Sequence, residues 1–241
     1  MVNTYLRRFE ELRQRLLLPV WPEGRNPDAP WDGTHYVTQG SLRPVSISTC
    51  EAFFLANCII AFRPGLVFEV GTGFGYSAGW LAIGIAISGH NGRLLTLDSY
   101  VEGERANSNH RIAKEILDGL GVGHLVNLVR GSSPSAIDQL LDGREQVQVA
   151  FIDGDHHGQQ PVEDYEALAR HMDPRGIIFF HDVDEERYSV PHAVEKAAKD
   201  GWDVSYMNTS CRLAAAYRDN MWPALLDRSL DMAKLHKLSL P

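Results

Sequence analysis

Leu66-Val-Phe-Glu-Val-Gly-Thr-Gly-Phe-Gly-Tyr-Ser77 joins an apolar, strand-like run to three glycines and then to a helical segment over residues 76–87. Gly71, Gly73 and Gly75 leave no side chain where a tight turn can bring the backbone against a ligand and aim N–H groups from the helix start. The spacing is GxGxG. It lacks the last glycine of the nicotinamide fingerprint GxGxxG, because Ser77 and Ala78 follow Tyr76.

Outward from this stretch the same alternation continues. Strand-like runs at 66–70, 94–97, 125–129, 147–152 and 177–180 alternate with helical segments at 76–87, 106–120, 134–141, 161–171 and 191–200. That rhythm predicts an α/β fold with a doubly wound, mostly parallel sheet. Two further runs, 202–206 and 213–217, read as an antiparallel pair completing a seven-stranded Rossmann-like sheet, and 222–238 reads as a closing helix. Upstream, 5–18 is amphipathic, and 21–33 is a loop by its proline and glycine content. Residues 1–44 therefore form a helical prefix, a lid, a dimer contact or an arm pinned by Trp21 and Trp31, ahead of one main domain at 45–241. The apolar run 50–62 reads first as a core helix and second as a contact between copies.

Composition narrows the class. The 241 residues are 44% hydrophobic and 22% charged, as in ordinary globular chains. A net charge of −8 without a basic stripe argues against nucleic acid. No apolar run approaches the roughly 20 residues of a membrane span, and the first residues lack the features of a secretory signal. A cytoplasmic location is expected. Cys50, Cys58 and Cys211 form no CxxC and read as buried thiols of a reducing compartment.

In an open parallel sheet, ligands sit beyond the carboxyl ends of the strands. Asp98 ends the second strand-like run, more than twenty residues past the glycines, where it can accept hydrogen bonds from a ribose diol. Glycine loop plus Asp98 signals an adenosine-containing cofactor; the bland alternative is a structural turn and a surface aspartate. Asp153, Asp155, His156, His157, His181, Asp182 and Asp184 follow the fourth and fifth runs and should converge. Hard oxygen ligands with an imidazole suit Mg²⁺ or a similar divalent ion, although aspartates also start loops and cap helices. His156 or His157 can serve as a general base.

The ordered set Glu69-Val-Gly-Thr-Gly-Phe-Gly-Tyr-Ser, Leu97-Asp98, Gly131-Ser-Ser, Phe151-Ile-Asp-Gly-Asp-His and Gly176-Ile-Ile-Phe-Phe-His-Asp-Val resembles the class I S-adenosylmethionine-dependent methyltransferases over about residues 45–217. Within them it most resembles the small divalent-metal-dependent O-methyltransferases of the catechol type and the macrolide-sugar and cephalosporin-hydroxylase-like branch. The resemblance implies that Glu69, Gly71, Thr72, Gly73, Tyr76 and Ser77 hold the methionine end of S-adenosyl-L-methionine. It implies further that Asp98 binds the ribose and that Ser132 and Ser133 lie beside the adenine. Asp153 is implied as both cofactor neighbour and first metal ligand, Asp182 as a second ligand, and His156 as the base. Where those relatives carry an acidic or amide ligand next to Asp182, this chain has His181 before it and Val183 after it. That departure fits either a site working without metal or His181 as a ligand.

The expected reaction is methyl transfer to a hydroxyl of a small molecule, a sugar or polyphenol of secondary metabolism, by a chain that can form homo-oligomers. Trp21, Trp31, Tyr36 and Tyr188 are candidate pocket residues for the acceptor. Two alternatives compete: a nicotinamide-dependent oxidoreductase, disfavoured by the missing glycine, and a non-catalytic protein of the same fold, disfavoured by the retained polar residues.

Overall fold

The structure is a computed structural model that describes residues 2–16, 37–38, 41–42, 46–100, 103–141, 146–183, 188–207, 209 and 213–238. Trp21, Trp31, Tyr36, Asp184 and Cys211 lie outside the described residues, as does most of the loop predicted in the prefix. The elements run α1 (Val2–Arg15), β1 (Val37–Thr38), β2 (Ser41–Leu42), α2 (Thr49–Phe62), β3 (Leu66–Val70), α3 (Tyr76–Ser88), β4 (Arg93–Asp98) and α4 (Gly103–Leu120). A 3₁₀ turn (Gly123–Leu125) leads to β5 (Val126–Arg130), α5 (Ser135–Leu141), β6 (Val147–Ile152), α6 (Gln160–Ala169), β7 (Met172–Phe180), α7 (Val190–Lys199), β8 (Asp203–Met207), β9 (Leu213–Tyr217) and α8 (Trp222–Leu238).

Seven strands form one sheet in the order β5-β4-β3-β6-β7-β9-β8. The first five are parallel, and β9 pairs antiparallel with both β7 and β8. The order reverses between β3 and β6, the place where an open α/β sheet opens a crevice at its carboxyl edge. This is the doubly wound, Rossmann-like sheet with an antiparallel finish that the alternation predicts. A separate hairpin pairs β1 with β2.

Both faces of the sheet are covered, so its central strands are apolar throughout rather than alternating. Val67, Val149, Phe151, Ile177 and Phe179 face the layer containing α1, α2, α3, α4 and α8. Leu66, Phe68, Val70, Ala150, Ile178 and Phe180 face α5, α6 and α7. The run predicted as a core helix is α2, starting in a capping box in which Ser48 and Glu51 satisfy each other's backbone N–H. Ten of its fourteen residues are buried.

The prefix helix α1 lies on α3 and α4 at Gly79 and Gly119. A Cβ on Gly79 would sit 2.7 Å from Phe9 Cζ, and one on Gly119 would sit 2.5 Å from Leu12 Cδ2. Phe9 stacks on Trp80 with ring centres 5.3 Å apart and meets Tyr76 edge-on at 4.9 Å. Tyr76 belongs to the glycine loop's helix, so α1 buttresses that loop from behind. Among the described residues no helix is long and apolar enough to cross a membrane.

Candidate active site

Three strand ends are tied together before any ligand is considered. Gly71 N–H donates to Leu97 O at 2.8 Å, and Asp153 N–H donates to Val70 O at 2.9 Å. The turns after β3 and β6 pass so close that a Cβ on Gly71, whose φ is +99°, would lie 2.0 Å from Asp153 O. Only glycine fits this approach. Gly75, with φ +82°, then starts α3 without a side-chain cap, leaving the first N–H groups of the helix facing the crevice.

Asp98 is held at both oxygens by backbone. Gly73 N–H donates to Oδ2 and Tyr100 N–H to Oδ1, each at 2.8 Å. A carboxylate oxygen accepts more than one hydrogen bond, so this grip orients Asp98 and leaves lone pairs for a diol. Beneath the loop, Glu69 is fully buried, accepts from the Thr96 hydroxyl, and lies next to Ser77. Burial, aided by the Asp153 and Asp98 carboxylates, pushes its carboxyl up to about 8 against the hydrogen bonds from Ser77 and Thr96. Glu69 is not on the wall of the crevice. It is a neutral support under the glycine loop, whereas Thr72, Tyr76 and Ser77 do line the crevice.

The crevice is one cavity of about 510 Å³, within the range of small-molecule sites. Gly71, Gly73, Asp98, Ser132, Ser133, Asp153, His156, His181 and Asp182 all contribute to its wall. At its far end four ionisable side chains meet. His156 Nε2 is 3.3 Å from both Asp153 Oδ1 and Asp182 Oδ2, while His181 Nδ1 is 3.1 Å from Asp153 Oδ1 and 3.4 Å from Asp182 Oδ1. Asp182 adopts a left-handed backbone, φ 58°, directly after β7. Asp155 and His157 do not join the cluster; they pair with each other at 2.9 Å on the exposed rim.

Charge balance follows from burial and proximity. Burial pushes the Asp153 carboxyl up, but His181 and His156 outweigh it and hold it below the usual carboxylate range. Burial opposes charge on both imidazoles, yet Asp153 and Asp182, with Glu51 for His181, raise both above the ordinary value. Tyr188 stacks on His156 with ring centres 4.8 Å apart.

Glu51 escapes sequence reading. Its Oε2 accepts Ser48 N–H at 2.7 Å and lies 3.4 Å from His181 Nε2. The local signal, Ser48-Thr-Cys-Glu51, announces a helix start and says nothing of a histidine 130 residues later. Gln160, which lines the crevice, and the buried Asp164 behind it were likewise not singled out.

The ligand atoms of Asp153, His181 and Asp182 all lie within 4.8 Å of one another. Two carboxylates and one imidazole suit a hard divalent ion. His181 turns one nitrogen to these aspartates and the other to Glu51, the arrangement of a metal-binding histidine braced by a second-layer carboxylate. The residues present therefore fit a cation.

The family described as "Methyltransferase domain" matches residues 68–183, from mid-β3 to just past β7. Over that segment, just under half of the chain, the protein is similar to methyltransferases, and its sheet has the order of the methyltransferase fold. Tapetum-specific methyltransferase 1 of Arabidopsis thaliana is 26% identical over 145 residues, 60% of this chain and 58% of that protein. The chain thus spans less than two thirds of the length of the curated relatives it matches. In fold, it is similar to the O-methyltransferase from Bacillus cereus in complex with SAH: TM-score 0.62 and 19% identity, covering 87% of this chain and 90% of that one. It is also similar to TomG from Streptomyces achromogenes, an O-methyltransferase involved in tomaymycin synthesis and solved with SAM: TM-score 0.58 and 21% identity, covering 73% and 82%.

Proposed function

We propose that the protein transfers a methyl group from S-adenosylmethionine to a hydroxyl oxygen of a small acceptor, a polyphenol or sugar, with His156 as general base. The observation that carries this reading is the single cavity in which the backbone-held Asp98 and the His156, Asp153, Asp182 cluster share one wall. Asp98 would hold the ribose hydroxyls, and the N–H groups at the start of α3 would face the carboxylate of the methionine end. When bound, the cofactor supplies an electrophilic methyl on a positively charged sulfur.

An acceptor hydroxyl must lose its proton as the new bond forms, so a base has to sit within hydrogen-bond reach of it. His156 Nε2 takes that proton in its neutral form, and the carboxylates of Asp153 and Asp182, each 3.3 Å away, stabilise the imidazolium that results. Tyr188, stacked on the ring, fixes its plane. Asp153, His181 and Asp182 would hold a divalent cation such as Mg²⁺, which when bound lowers the pKa of a hydroxyl and orients it.

The test is calorimetric titration with S-adenosylhomocysteine, with and without Mg²⁺, followed by mass-spectrometric detection of methylated products from catechol and sugar acceptors. Tight binding and a +14 Da product that vanishes in His156→Gln support the reading. Failure to bind the thioether, or an unaltered product yield in His156→Gln, refutes it.

A further inference from the structure

The cavity has two chemically different ends. One carries the titratable cluster; the other includes Ser132 and Ser133, which follow β5 and so lie across Asp98 from Asp153 in the strand order, together with Gln160, which is hydrogen-bonded to Ser133. If a ribose sits on Asp98 with its thioether arm towards Asp153, its base, the remaining substituent, occupies the second end.

Gln160 opens α6 and faces this end. Its amide nitrogen donates to Asp164 Oδ1 at 2.7 Å, to Ser133 O at 3.1 Å and to Ser133 Oγ at 3.3 Å. A carbonyl and a carboxylate oxygen accept these bonds, so the two ends of the amide cannot be exchanged without placing oxygen against oxygen. The nitrogen is committed to protein, and Oε1, which has no partner among the described residues, is the group left for a ligand. Asp164 enforces this. It is fully buried, its second oxygen is unpartnered, and the proposed methyl transfer makes no use of it. Burial pushes its carboxyl up to about 6, yet whichever form is present Oδ1 remains an acceptor for Gln160.

We propose that Gln160, oriented by Asp164, is a specificity-determining residue that presents a fixed acceptor to the exocyclic amine of an adenine and rejects a purine carrying an oxo group there. Asp164 is a positioning residue, acting through Gln160. This rests on the adenosyl-cofactor reading above. Adenine offers two N–H donors at that position; hypoxanthine offers an oxygen whose lone pairs would meet those of Gln160 Oε1.

The probes are S-adenosylhomocysteine and S-inosylhomocysteine, which differ in the 6-substituent and, with it, in the proton on the adjacent N1, titrated calorimetrically into the intact chain. Wild-type protein is expected to prefer the adenosyl compound by about 30-fold, since an unmatched acceptor is left facing an acceptor. Gln160→Met keeps the side-chain length and removes the acceptor, so the preference falls to within about threefold. Asp164→Leu frees the amide to turn and gives the same collapse, whereas Asp164→Asn retains an acceptor oxygen and preserves the preference. Should Asp164→Leu fail to fold, Gln160→Met alone decides. Equal affinity of the wild type for both compounds, or an undiminished preference in Gln160→Met, overturns the proposal while leaving the cofactor reading intact. Absence of binding by either compound overturns both.

Discussion

Replacing Gly71 with alanine should do far more damage than the same change two residues later. At Gly71 the new methyl would lie 2.0 Å from Asp153 O and 2.5 Å from its carbonyl carbon, both backbone atoms that no rotamer change can move. At Gly73 nothing lies within 4 Å of the methyl, and φ is +51°. Left-handed backbone costs an L-residue about 1–2 kcal/mol at either position. Overpacking adds roughly 1–3 kcal/mol at Gly71 only. A chain of this size loses about 2–4 °C of Tm per kcal/mol, so Gly73→Ala should lose roughly 2–8 °C and Gly71→Ala roughly 4–20 °C. The steric wedge also drives β3 from β6, displacing Asp153, so Gly71→Ala should weaken S-adenosylhomocysteine by more than about tenfold while Gly73→Ala stays within that factor. Thermal unfolding and calorimetry on the two variants measure both quantities. Equal losses of Tm would refute the argument that interlocked turns, rather than glycine's backbone freedom, build this corner.

Further outcomes are expected. Asp98→Ala removes the oxygens that face the ribose and also frees Gly73 N–H and Tyr100 N–H; S-adenosylhomocysteine affinity should drop by about 30-fold or more on calorimetry, and a change under threefold would move the ribose elsewhere. Glu69 keeps its proton in the native state up to about 8, against an ordinary value of 4.5. Its raised native pKa makes stability complete at low pH and progressively lost as pH climbs from about 4.5 through 8, on the order of 5 kcal/mol in all. Urea unfolding of Glu69→Gln should therefore flatten that decline, and parallel pH profiles for the two proteins would sink the assignment. His156→Gln should cut kcat by about 10²–10⁴ with S-adenosylhomocysteine affinity unchanged; a loss confined to KM would instead mark a binding role. Phe9→Ala empties the space between Trp80 and Gly79 and should cost about 3–5 kcal/mol in denaturant unfolding; a cost below about 1 kcal/mol would mean α1 is ornamental.

The alternation of apolar runs and helical segments was enough to read the sheet, because strands buried on both faces leave uninterrupted stretches such as Leu66–Val70. The first half of β7 was missed: Asp173-Pro-Arg-Gly176 has the composition of a turn, yet it continues the strand from Met172 past an irregularity beside Val147 and Val149. Asp153, His156, His181 and Asp182 were legible as a group because each follows a strand end, and topology brings strand ends together. Asp155 and His157 carried the same signal but pair with each other at the exposed mouth, because the turn after β6 brings Asp153 and His156, three residues apart, against Asp182. Glu69 reads as a cofactor contact because it adjoins the glycines; in the structure it is fully buried and off the cavity wall. Glu51, Gln160 and Asp164 had no signal at all. Their partners are tertiary, and helix-start chemistry is the only message their neighbours carry.

Glu51 shows what such sharing means for how this chain can change over time. One carboxylate oxygen both closes the start of α2 and stands 3.4 Å from His181. A substitution that keeps the helix but alters the charge still reaches the imidazole, and one that suits a different metal or acceptor still has to start a helix. The two ends of the protein's sequence space are thereby tied: the residues that open the domain cannot drift independently of the chemistry at the end of β7, and new activities on this scaffold have to pass through pairs of changes rather than single ones.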